Sequence, residues 1–134
     1  MKKSLLRGAA IVTSLAFIII NGCTDYGTAH GMPWGTYQYT GYDERGNVID
    51  NGWLSLIIND SNEITGEWRL EKTGSGNLVG SIIEGRVVLN FHPDYVDHNL
   101  LLNGIVEGRT YRGEWSWIGF PGIIDQGPFE AYKR

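Results

Sequence analysis

The sequence is short of several things, and each shortage removes a class of function. It has one cysteine, Cys23, in 134 residues, so no disulfide can form within the chain. Basic residues are outnumbered, 11 Lys and Arg against 15 Asp and Glu. That balance lacks the basic footprint of proteins that track phosphates, which excludes nucleic acid as a partner, and it gives no electrostatic hold on anionic lipid. No window carries the 3.6-residue periodicity of an amphipathic helix. The apolar run from Ala9 to Ile20 is about a dozen residues, short of the roughly 20 that cross a bilayer, so a permanent transmembrane helix is not expected. No nucleophile elbow, phosphate loop or serine-histidine-aspartate order stands out. The reading therefore leans away from an enzyme and implies no cofactor.

What is present begins with the leader. Met1-Lys2-Lys3-Ser4-Leu5-Leu6-Arg7 is a basic start, followed by the apolar run and then by small or polar residues up to Gly22. That order is an export signal. Ile20-Asn21-Gly22-Cys23 resembles the lipobox of bacterial lipoproteins. The resemblance implies cleavage before Cys23, acylation of that cysteine, and a cell-envelope location on a lipid bilayer. Thr24, where an aspartate commonly marks inner-membrane retention in diderm bacteria, favours the outer membrane if the source has one. Residues 1–22 are accordingly read as the signal peptide.

Removing them leaves 112 residues, one small domain, with 8 basic and 15 acidic residues and a formal charge of −7. The acyl chains, not charge, must do the anchoring. Residues 23–33 carry no periodicity and end at Pro33, so they read as lipidated cysteine and tether. Ten flexible residues span about 17 Å on average and at most roughly 35 Å, which keeps a domain at 34–134 close to the bilayer.

From Trp34 onward the signal is alternation with period two, interrupted every eight to twelve residues by Gly, Asn or Asp. Ile64, Gly66, Trp68 and Leu70 fall on one face of a strand, and Thr65, Glu67 and Arg69 on the other. Tyr111, Gly113, Trp115 and Trp117 oppose Thr110, Arg112, Glu114 and Ser116 in the same way. Eight strands are predicted, near 34–42, 51–59, 63–71, 76–83, 85–92, 99–106, 109–117 and 127–133. Short polar linkers such as Asn59-Asp60-Ser61-Asn62 imply antiparallel hairpins and a meander.

An internal repeat agrees. The segments 80–86 and 104–109 are alike about 24 residues apart, and Gly66-Glu67-Trp68 recurs 47 residues on as Gly113-Glu114-Trp115, as expected when successive hairpins meet one geometric demand. An open sheet of eight strands would expose two edges, whereas closure removes them, and Gly66, Gly80, Gly104 and Gly113 on the inward face permit tight coiling. The fold class is therefore all-β, an eight-stranded antiparallel up-and-down meander closed into a small barrel. Strands in that order, opening with Trp34-Gly35-Thr36-Tyr37, resemble the lipocalin and avidin group of ligand-binding barrels. Gly35-Thr36-Tyr37 stands where lipocalins carry Gly-x-Trp.

Three sets of residues are candidates for a site. Tyr37, Tyr39, Trp68, Tyr111, Trp115, Trp117 and Phe129 all point inward, forming either a wall for a small apolar or aromatic ligand or the filling of a narrow barrel. His92, Asp94, Asp97 and His98 are the densest potential metal ligands, in a loop whose residues are equally plain turn formers. The stretch 118–127 reads as the longest and most apolar connection. Its Phe120, Ile123 and Ile124 either close a barrel mouth or meet a partner, be it an envelope protein or the membrane. Glu67 and Glu114, beside Arg69 and Arg112, read as outward residues in cross-strand ion pairs rather than as a glycosidase pair. The functional expectation is a non-enzymatic envelope lipoprotein that binds a small apolar ligand or a protein segment. The alternative is an interaction module, for instance an inhibitor of a hydrolase that attacks the envelope, or an accessory of an envelope assembly.

Overall fold

The computed structural model describes residues 33–95 and 97–134, so the leader, Cys23 and the tether up to residue 32 lie outside the described residues. The alternating segments form eight strands: β1 (Gly35–Tyr42), β2 (Val48–Ile58), β3 (Glu63–Leu70), β4 (Gly74–Ile83), β5 (Arg86–Asn90), β6 (Asn99–Glu107), β7 (Thr110–Gly119) and β8 (Gly122–Lys133). Each pairs antiparallel with its sequence neighbour, and β1 also pairs with β8, from Tyr37 opposite Lys133 to Gly41 opposite Phe129. The expected closed barrel is present, and its strands have no free edge.

Burial follows the alternation. In β3, Ile64, Trp68 and Leu70 are buried while Thr65, Glu67 and Arg69 are exposed; in β7, Tyr111 and Trp115 are buried while Arg112 and Glu114 are exposed. The turns explain why consecutive strands pair. In the β4–β5 turn both central residues are left-handed, Glu84 at φ 52° and Gly85 at φ 85°, the backbone that matches the twist of a two-residue hairpin.

Close strand approach accounts for the inward glycines. Gly104 and Gly113 face each other across β6 and β7, where a Cβ on either would collide with the partner strand's carbonyl oxygen, at Arg112 and Asn103 respectively. The repeated Gly-Glu-Trp has a second cause. Trp68 lies opposite Gly76, and Trp115 opposite Gly127. With no side chain in the way, each indole leans across that strand and donates to a carbonyl two strands over: Trp68 Nε1 to Phe91 O at 3.1 Å, and Trp115 Nε1 to Tyr42 O at 2.8 Å. The two halves of the barrel thus share one internal device.

One expected boundary is corrected. The stretch 118–127 is not a long connection: β7 and β8 stay paired to Gly119 opposite Gly122, leaving only Phe120 and Pro121 between them. The longest connection among the strands is 91–98. Because the strands alternate in direction, Trp34, the turns at 59–62, 84–85 and 108–109, and Arg134 share one end, here called the near end. The connections 43–47, 71–73, 91–98 and 120–121 share the far end.

Candidate functional site

Six of the seven inward aromatics make a continuous filling. Tyr37, Tyr39, Trp68, Tyr111, Trp115 and Phe129 are each at most 2% exposed. Tyr111 meets Phe129 edge-on at 4.8 Å and Tyr37 at 6.2 Å, and Tyr39 stacks on Phe129 at 5.7 Å. The Tyr111 hydroxyl donates to Val87 O at 3.0 Å, whereas the Tyr37 hydroxyl finds no partner among the described residues. Burial raises both phenols, Tyr37 to about 12. With both indole donors spent on backbone carbonyls, these rings present no surface to an arriving molecule.

Trp117, the seventh, is only partly buried and reaches the far mouth. His92 stacks on it, with centroids 5.6 Å apart and planes 13° apart, and His98 lies 4.8 Å from it. His92 also meets Trp68 edge-on at 5.4 Å and stacks on Tyr95 at 5.9 Å. Its Nδ1 is buried without a hydrogen-bond partner among the described residues, and burial, then the nearby His98, holds its pKa below the ordinary imidazole value.

Opposite stands Asp50, 8% exposed. Its carboxylate accepts the backbone N–H groups of Asn51, Lys72 and Thr73 at 2.9, 2.8 and 3.0 Å, and the Thr73 hydroxyl at 2.6 Å. These bonds tie the β3–β4 turn to the rim of the barrel. Between Asp50 and Trp117 opens a cleft of about 390 Å³, also lined by Ile49, Lys72, Thr73 and the two imidazoles.

The expected metal loop is assembled differently. His92 and His98 come together, ring centroids 5.8 Å apart, while Asp94 and Asp97 are exposed. Among the described residues no three His, Cys, Asp or Glu side chains gather to hold a metal ion. The two imidazoles meet over the Trp117 face instead. The expected ion pairs of Glu67 and Glu114 are also absent among the described residues. Their cross-strand neighbours are neutral, Ser55 and Asn77 for Glu67, and Asn103 and Pro128 for Glu114.

Phe120, Ile123 and Ile124 close no mouth. They are 88%, 59% and 65% exposed at the tip of the β7–β8 hairpin. Between Trp115 and its paired Gly127 lie four more residues than between Trp68 and Gly76, so this hairpin outgrows its counterpart and carries its apolar residues into solvent. Asp50, Lys72 and Thr73 were not singled out in the sequence; their only signal there was the turn chemistry of a short polar linker. No family model, curated protein or solved structure matches the chain.

Proposed function

We propose that this chain is a non-enzymatic envelope lipoprotein, anchored by acylation of Cys23, whose barrel serves as a rigid mount for a protein-binding tip. The carrying observation is the pairing of a filled interior with an exposed Phe120, flanked by Ile123 and Ile124. A large aromatic held clear of a rigid scaffold is a side chain that a partner's pocket can desolvate at little conformational cost. A narrow tip of this kind also suits a cleft, which fits an inhibitor of an envelope-attacking hydrolase as well as an accessory of an envelope assembly. Trp34 leads into β1 at the near end, so a tether to Cys23 leaves from the end opposite the tip. The partner proposed for the far-end tip is therefore a protein rather than the bilayer itself.

The test is capture from envelope extract with the full chain and with Phe120→Asp. The variant should melt within about 0.5 kcal/mol of the native chain, because the side chain is exposed, yet lose its bound proteins. An unchanged set of captured proteins overturns the reading.

A second reading rests on the far-mouth cleft, where the Trp117 and His98 rings lie 4.8 Å apart beside space for a small aromatic molecule. Titration with flat aromatic dyes would then raise the melting temperature, and Trp117→Ala would abolish the shift.

A further inference from the structure

Trp53 differs from the other four tryptophans. Trp34 precedes β1, Trp68 and Trp115 are buried in the barrel, and Trp117 is at the far mouth, whereas Trp53 is half-buried on the outside of β2. It occupies one row of outward residues running across five strands: Tyr132, Gln38, Trp53, Arg69 and Ser75. Two clefts meet at it, of about 550 and 400 Å³, sharing Trp53, Arg69 and Ser75. Gly52 and Gly74 line the first and Gly76 the second.

The rim is polar and partly fixed. Gln38 donates through Nε2 to Gly52 O at 2.9 Å and accepts from Arg134 Nη2 at 2.8 Å, which places the Arg134 guanidinium beside the first cleft. The side chains of Asn51, Arg69, Ser75, Asn77 and Glu67 make no hydrogen bond or ion pair with other described residues. Their donors and acceptors are open to a ligand.

We infer that this outer groove binds a segment of a linear oligosaccharide. A pyranose ring has a flat face of C–H groups that can lie on an indole and an edge of hydroxyl or acetamido groups that amides, carboxylates and guanidinium can meet. The groove supplies that combination, an aromatic plate with a hydrogen-bonding rim of mixed charge. Two adjoining clefts that share Trp53, Arg69 and Ser75 favour an extended chain over a single small molecule, which would need a pocket enclosing most of its surface. Outward rows on adjacent strands repeat every ~4.8 Å, close to the length of one sugar unit, so successive residues of the chain meet successive strands. Two competing occupants fit less well. A peptide cannot add as a strand because the closed barrel has no free edge, and the chain's excess of acidic residues disfavours nucleic acid.

The experiment titrates the full chain, in zwitterionic micelles, with cellohexaose, chitohexaose and hexagalacturonate, probes for neutral, N-acetylated and acidic glycans. Tryptophan fluorescence and backbone amide shifts are the readouts. At least one glycan should give a saturable change centred on Trp53, Arg69 and Asn77. Trp53→Ala should weaken it about tenfold or more, as loss of a central tryptophan does, and Phe120→Asp should leave it unchanged. Arg69→Ala, whose side chain is exposed and unpaired, gives a second reading of the groove with little risk to folding. No saturable response to any of the three, a response that both groove variants retain, or one abolished by Trp117→Ala instead would overturn the assignment. Because the groove and the hairpin tip are tested by different variants, failure of one does not decide the other.

Discussion

Tyr37 and Tyr111 stand side by side in the barrel, both 0% exposed, their rings 6.2 Å apart, and replacing each with phenylalanine tests whether the interior is filled. The substitution removes one oxygen in either case, but the oxygens are placed differently. The Tyr111 hydroxyl donates to Val87 O at 3.0 Å, so Tyr111→Phe deletes that bond, at a cost of about 0.5–1.5 kcal/mol. The Tyr37 hydroxyl is buried with no partner among the described residues. Tyr37→Phe therefore removes a desolvated polar atom without breaking a bond and should be neutral or stabilising, by up to about 1 kcal/mol. For a domain near 100 residues each kcal/mol moves the melting temperature by about 4–8 °C, so the two variants should separate clearly in thermal and urea denaturation followed by near-ultraviolet circular dichroism. Equal destabilisation would refute the reasoning. It would mean that the Tyr37 hydroxyl is satisfied by a bound water or ligand within the barrel.

Three further outcomes follow from the same geometry. Gly104→Ala should cost at least about 2–3 kcal/mol, because its Cβ would collide with the Arg112 carbonyl oxygen on the neighbouring strand; a melting temperature within a few degrees of native would show that β6 and β7 are not so closely apposed. Asp50→Ala should cost about 2–4 kcal/mol and speed amide exchange at Lys72 and Thr73, whose N–H groups lose their acceptor; unchanged protection there would contradict the tie. His92 has a pKa held below 6.5, first by burial and then by His98. An imidazole depressed on folding is protonated more readily when unfolded, so its contribution is complete above 6.5 and is lost as pH falls through the depressed value. The melting temperature should thus drop more steeply as the pH falls below about 6.5 in the native chain than in His92→Phe, and parallel curves would remove His92 as the cause.

The strands that sequence reasoning placed well are those under burial pressure on one face only. In β3 and β7 the inward aromatics and outward charges alternate without a break, so both the element and its facing were legible. The first half of β8 was not, and Gly122 to Gln126 shows why: its side chains are exposed or half-exposed, beyond the part of the hairpin that faces the core. Where neither face is buried, nothing selects a period-two pattern, and Gly, Pro and Asp there read as a loop. Trp53 escaped for another reason. Leu54, Leu56 and Ile58 are apolar on one face, but Trp53, Ser55 and Ile57 leave the other face mixed, and the register against Gln38 and Arg69 is what shows that Trp53 points out. His92 and His98 were visible as a cluster, but their meeting over Trp117 depends on a connection packing against a strand distant in sequence, which spacing does not encode.

The repeat and the departures from it divide the molecule between scaffold and function. Trp68 and Trp115 perform one structural task in both halves, each leaning over a glycine to bond a carbonyl two strands away, and a barrel built this way fills its own interior. Binding must then be carried by what the symmetry does not require. At equivalent places on the far end, the β3–β4 turn is tied to the rim by Asp50, while the β7–β8 hairpin is four residues longer and lifts Phe120 into solvent. Exposing an aromatic tip lowers solubility and adds nothing to the core, and a shorter hairpin of the β3–β4 kind would close the barrel equally well. Shortening β7–β8 by those four residues should therefore leave the melting temperature nearly unchanged and abolish capture of the partner. Loss of folding instead would show that the tip is part of the scaffold.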